Sequence, residues 1–89
     1  MSVRNLQKAH EAEEPTRHKA TEFGLDVFVH TYQRCNGASV THWQFVDKET
    51  GKEILAYWPA TGKVRAQRGF QGFVDDAAGA LAEAVRRKL

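Results

Sequence analysis

The stretch from Ile54 to Val74 contains no acidic residue and carries three cations, Lys63, Arg65 and Arg68. Phe70 and Phe73 follow, interleaved with Gly69 and Gly72. Cations and aromatic rings on a glycine-containing loop suit a nucleic-acid backbone, because guanidinium forks donate to phosphate oxygens and rings stack on bases. Arg86, Arg87 and Lys88 would extend the patch by long-range attraction. The plainer reading is a solvated loop whose phenylalanines anchor it to the core.

A second group lies between residues 28 and 45. Phe28, His30, Tyr32, Trp43 and Phe45 alternate along two stretches rich in β-branched and aromatic residues. Asn36-Gly37 between them is a strong hairpin signal. A two-residue loop would set Cys35 opposite Ala38. Phe28 would then face Phe45, His30 would face Trp43, and Tyr32 would face Thr41. Side chains alternate with period two, so these aromatics would share one sheet face, joined by Tyr57 or Trp58. Leu25, Val27, Val29, Val40 and Val46 would line the other, with His42 and Gln44 among them. Three readings of the aromatic face stay open: a core under a helix, a homodimer interface, or a stacking platform for unpaired bases.

His42 is the one candidate for acid–base chemistry, as a partly buried imidazole among polar neighbours. A structural histidine is its plainer role. His10 with Glu14 and His18 with Glu22 are spaced to share helix faces, but no third ligand completes a zinc site, and no metal or cofactor is expected. Ser39 and Cys35 have no base and orienting group beside them. Gly69-Phe70-Gln71-Gly72 lacks the longer glycine spacing of a phosphate-binding loop.

The elements that would position these residues follow from pattern. Val3, Leu6, Ala9, Ala12, Thr16, Ala20 and Phe23 recur every three or four residues, predicting helix over residues 1–24. Pro15 would start a second helix or kink a single one. Residues 1–14 are expected as a polar, frayed segment, and residues 15–89 as one domain. Strands are predicted over 25–34, 40–46 and 53–58, with a short fourth edge strand over 63–67. A closing helix is predicted over 74–88, with Val74, Ala78, Leu81, Val85 and Leu89 as its apolar stripe. Asp75 and Asp76 would occupy its first turn. The fold class is α+β: a three-stranded antiparallel meander in a two-layer sandwich, order α-β-β-β-α, with helices on the aliphatic face.

The 89 residues fit a single domain, and 42% are hydrophobic, enough to fold. Lys plus Arg total 13 against 11 Asp plus Glu. The resulting net charge of +2 excludes a strongly basic nucleic-acid protein but permits a local basic patch. No apolar run is long enough to span a membrane, so no membrane partner is expected. Cys35 is the one cysteine and cannot form an internal disulfide; a reducing cytoplasm is the expected compartment.

Trp58-Pro59-Ala60-Thr61-Gly62-Lys63 resembles a WP-x-TGK signature of small phage- and prophage-encoded proteins. In those a hairpin with an Asn-Gly and a His-aromatic strand precedes the signature, as Asn36-Gly37 and His42-Trp43 do here. A glycine-containing stretch and a short helix follow it. The resemblance covers most of residues 20–89 and implies an accessory protein of a mobile element. In architecture the chain is similar to HicA-type interferases of the double-stranded-RNA-binding-like fold. There a Gly-Ser-His supplies the functional histidine; Gly37-Ala38-Ser39-Val40-Thr41-His42 is the nearest match, with intervening residues. That resemblance implies a ribonuclease using His42. The residues themselves favour a non-catalytic nucleic-acid-binding module. Its rivals are a host-protein-binding factor acting through the aromatic face and the ribonuclease.

Overall fold

The structure, a computed structural model, describes residues 3–66 and 69–88, and the side chains from residue 10 onward. Arg68, Gln67 and Leu89 lie outside the described residues. Helix α1 spans Val3–Glu22 and is followed by strands β1 (Leu25–Gln33), β2 (Ser39–Asp47), β3 (Glu53–Trp58), β4 (Lys63–Arg65) and β5 (Gln71–Phe73). Helix α2, Ala77–Lys88, closes the chain. The fold is α+β with one antiparallel sheet of five strands in the order β1-β2-β3-β4-β5. The meander therefore has five strands, where three and a short edge were expected. The fifth, Gln71-Gly72-Phe73, is too short and glycine-rich to carry a strand pattern.

The register of β1 and β2 also differs from expectation. Val27 pairs with Phe45, Val29 with Trp43, His30 with His42, Tyr32 with Val40 and Gln33 with Ser39. The cause is the turn. Gly37 N–H donates to Arg34 O at 2.9 Å, and Arg34 N–H donates to Ala38 O at 2.8 Å. Cys35-Asn36-Gly37 is thus a three-residue loop, with Gly37 taking the left-handed conformation at φ +85° after the turn. The Asn36 side chain accepts from Ala38 N–H at 3.0 Å and fixes the corner. One extra loop residue slips β2 by one position, and every β2 side chain changes face.

The two faces therefore divide differently from expectation. Leu25, Val27, Trp43, Phe45, Leu55, Tyr57 and Val64 are buried together with Ala20 of α1 and Ala77, Ala80, Leu81 and Ala84 of α2. Trp43 and Phe45, expected on the aromatic face, are 2% and 0% exposed in this core. Val40, His42 and Gln44, expected on the helix-facing side, lie on the other face with Phe28, His30 and Tyr32. The helices reach the core through alanines, whose small side chains allow close approach.

Within α1, Ala12, Thr16 and Ala20 point inward, while Phe23, just past its end, is 45% exposed. Pro15 lies inside this single helix and starts no second one. Helix α2 begins at Ala77, three residues later than expected. Val74 N–H is taken by Gly62 O at 2.8 Å, which ties residue 74 to the β3–β4 turn. Asp76 then caps the helix, its Oδ1 accepting from Gly79 N–H at 2.9 Å. Asp75 and Asp76 so precede the first turn, and the buried stripe is Ala77, Ala80, Leu81 and Ala84.

Candidate nucleic-acid interface

The second face of the sheet carries a row of rings. His30 and His42, paired across β1 and β2, stack with centroids 5.0 Å apart and planes at 26°. His42 stacks in turn on Trp58 of β3, at 5.5 Å and 26°. Tyr32 meets His42 edge-on at 5.8 Å. Two cations from β4 complete the row: the Arg65 guanidinium lies 5.3 Å from the Trp58 ring centroid and Lys63 Nζ lies 5.9 Å from it. The β3–β4 register sets this geometry, pairing Trp58 with Lys63 and Ala56 with Arg65. Cation–π attraction holds both cations near the indole without neutralising them.

An open groove of about 500 Å³ borders this row, lined by Tyr32, Val40, Trp58, Arg34, Lys63 and Arg65 among others. Among the described residues it carries three cations and no carboxylate. Arg34 comes from the β1–β2 turn and was not singled out from the sequence. A signal existed: Val27–Val46, like Ile54–Val74, contains no acidic residue. The middles of both acid-free segments line this groove. Trp58 was one of two alternatives, and the structure selects it by sending Tyr57 to the core. Burial, and then the Asp76 carboxylate, push the Tyr57 phenol up from its ordinary value.

His42 sits at the centre of the row. Its Nδ1 is buried and, among the described residues, has no hydrogen-bond partner. His30 Nε2 and Gln44 Oε1 are 3.1 Å apart, which positions the neighbouring imidazole. Burial is the largest cause that lowers the His42 pKa from 6.5, followed by His30; Glu53 opposes and Arg65 adds. Burial thus favours the uncharged ring, the form suited to stacking.

The remaining candidates are not brought to this groove. Phe70 packs against the helix-side core, near Gly72 and Val64. Arg87 lies over the Phe70 ring at 3.6 Å. Arg86 and Arg87 both bond to Glu83, at 2.7 and 3.0 Å. The Arg86 hydrogen bond is the largest cause holding the Glu83 carboxyl below its ordinary value. Lys88 Nζ donates to Phe23 O at 2.9 Å and Gly24 O at 3.2 Å, clasping the α1–β1 corner. Lys63 and Arg65 thus share one face, while Phe70 and Arg87 stand together on the other. Among the described residues no cluster of three metal-ligating side chains occurs, and no helix is long and apolar enough to cross a membrane. Comparison with known proteins adds no relative: no family model, curated protein or solved structure matches the chain.

Proposed function

We propose that the chain is a non-catalytic module that binds single-stranded nucleic acid on its open sheet face. The two helices form the second layer of a sandwich and leave this face free. The observation that carries the reading is the His30–His42–Trp58 stack with Lys63 and Arg65 over its end. Unpaired bases stack on the exposed Tyr32 ring, and on Trp58 as Lys63 and Arg65 turn from the indole to the phosphates, which Arg34 also meets. A duplex hides its π-faces, so single strands are the preferred form.

The test is fluorescence anisotropy of labelled single-stranded RNA, single-stranded DNA and duplex DNA over a salt series. Each phosphate contact on a single strand contributes roughly 0.7 to the slope of log affinity against log salt. Lys63→Ala with Arg65→Ala should therefore flatten the slope by about 1.4 and weaken binding to every single strand. An unchanged slope in the double variant, or equal binding of duplex and single strand, would refute the reading. Absence of binding together with salt-insensitive capture of a protein would favour a host-protein surface instead.

A further inference from the structure

Strand β1 is the terminal strand of the sheet and, among the described residues, has no partner on its outer side. Its inward hydrogen bonds can be counted from the ends. Arg34 N–H donates to Ala38 O, and Lys48 N–H donates to Gly24 O. Antiparallel pairs alternate between bonded and non-bonded positions, so the even-numbered residues of β1 bond to β2. Leu25, Val27, Val29, Thr31 and Gln33 then direct their N–H and C=O groups outward. Such an edge is usually blunted by proline, lysine or a bulge. β1 is nine residues long, LDVFVHTYQ, with no proline and no lysine, and its pairing to β2 runs without a bulge.

We infer that β1 pairs antiparallel with β1 of a second copy of this chain, with a two-fold axis through His30. In that register Val29 bonds with Thr31 of the second copy and Val27 with Gln33, so all four use their outward groups. The positions between them are non-bonded pairs, where side chains approach most closely. Asp26 there faces Arg34 of the second copy, and Phe28 faces Tyr32, each twice by symmetry. His30 faces its own counterpart. Opposite charges and aromatic pairs directly across are the favourable cross-strand combinations. Phe28 and Tyr32 are 46% and 44% exposed in the single chain, and this pairing covers them. Among the described residues Asp26 has one ion pair to give up, an exposed one to Lys48 at 3.7 Å. Moving the register by two residues either way aligns Asp26 with Tyr32 or with Asn36 and loses the charge match. A symmetric interface of this kind is self-complementary. It joins the two open faces into one ten-stranded surface, with the His30 rings at its centre. The inference does not rest on nucleic-acid binding, and a dimer that binds none would leave it standing.

The first measurement is light scattering on the purified full chain across a micromolar concentration series, where a dimer is expected. Asp26→Arg alone, or Arg34→Asp alone, sets like charges opposite each other twice. Each should raise the dimer dissociation constant on the order of tenfold or more. The combined Asp26→Arg, Arg34→Asp variant should restore it, which a folding defect would not do. In a Cys35→Ser background, His30→Cys should cross-link two copies on mild oxidation, whereas Asp26→Cys should not, because only residue 30 meets its own counterpart. A monomer at every concentration would overturn the inference. So would a dimer that the charge reversals leave intact, or one cross-linked equally well at residue 26.

Discussion

Two tryptophans of this chain have opposite roles, and their surroundings say which is which. Trp43 is 2% exposed between Phe45 and Tyr57, with centroids at 6.5 and 5.6 Å. Trp58 lies on the other face under two cations. Trp58→Ala should leave the fold intact and weaken single-strand binding by about 1–3 kcal/mol, the worth of one stacked base. Trp43→Ala should lower stability by about 3–5 kcal/mol, as large core truncations do. Thermal melting beside anisotropy separates the two, and equal loss of binding without unfolding in both would contradict the assignment. His42 adds a pH dependence. Its folded-state pKa lies below the unfolded value near 6.5, chiefly through burial. The unfolded chain therefore binds the proton more readily, and stability falls as pH drops below about 6.5 towards the folded value. The charged and titratable groups that act on it are His30, Glu53 and Arg65, with Tyr32 edge-on to its ring. His42→Asn should remove this part of the acid sensitivity, read as a flatter melting temperature between neutral and mildly acidic pH.

At the level of elements, what could be read from the chain depended on signal length. Nine-residue β1 and β2, with the six residues of β3, carry enough β-branched and aromatic residues to stand out. Of the two three-residue strands, β4 lies within the short edge strand expected over 63–67, while β5, with a glycine at its centre, carries no such signal. One turn decides which β2 side chains the open face carries. Asn36-Gly37 reads as a two-residue loop, yet Cys35 joins it, and that single residue moved Trp43 and Phe45 into the core and His42 out of it. Trp43 and Phe45 are the two largest fully buried side chains, and their pairing with Val29 and Val27 sets both faces. Two glycine positions test these turns. A Cβ on Gly37 meets nothing within 4 Å, so Gly37→Ala should cost only the left-handed backbone penalty, about 1 kcal/mol. A Cβ on Gly62 would stand 2.5 Å from Val74 O, at φ +79°. Gly62→Ala should therefore destabilise more, because it also disturbs the bond that holds residue 74 out of α2. Urea melts of the two variants check the order, and a reversed order would mean the β3–β4 turn is not held as described.

For the whole molecule, the distribution of charge matters more than its sum. The eleven carboxylates lie outside the two segments that build the groove, 27–46 and 54–74, so a net charge of +2 still leaves a face with unopposed cations. Pairing through β1 would engage Arg34 with Asp26 of the second copy and set two such faces, each with Lys63 and Arg65 unopposed, edge to edge. Neighbouring strands are about 4.8 Å apart, so the two Trp58 strands would stand roughly 24 Å apart across the joined sheet. A single strand long enough to cross the axis would then engage both sites, and the second contact would gain from effective concentration. Asp26→Arg separates this from electrostatics, because it adds positive charge while opposing self-pairing. Affinity of the unaltered chain should keep rising to an oligonucleotide about twice as long as that at which Asp26→Arg levels off. On short oligonucleotides the variant should bind at least as tightly, since its cations are increased. The same length dependence in both proteins would mean that each chain binds alone, whatever its oligomeric state.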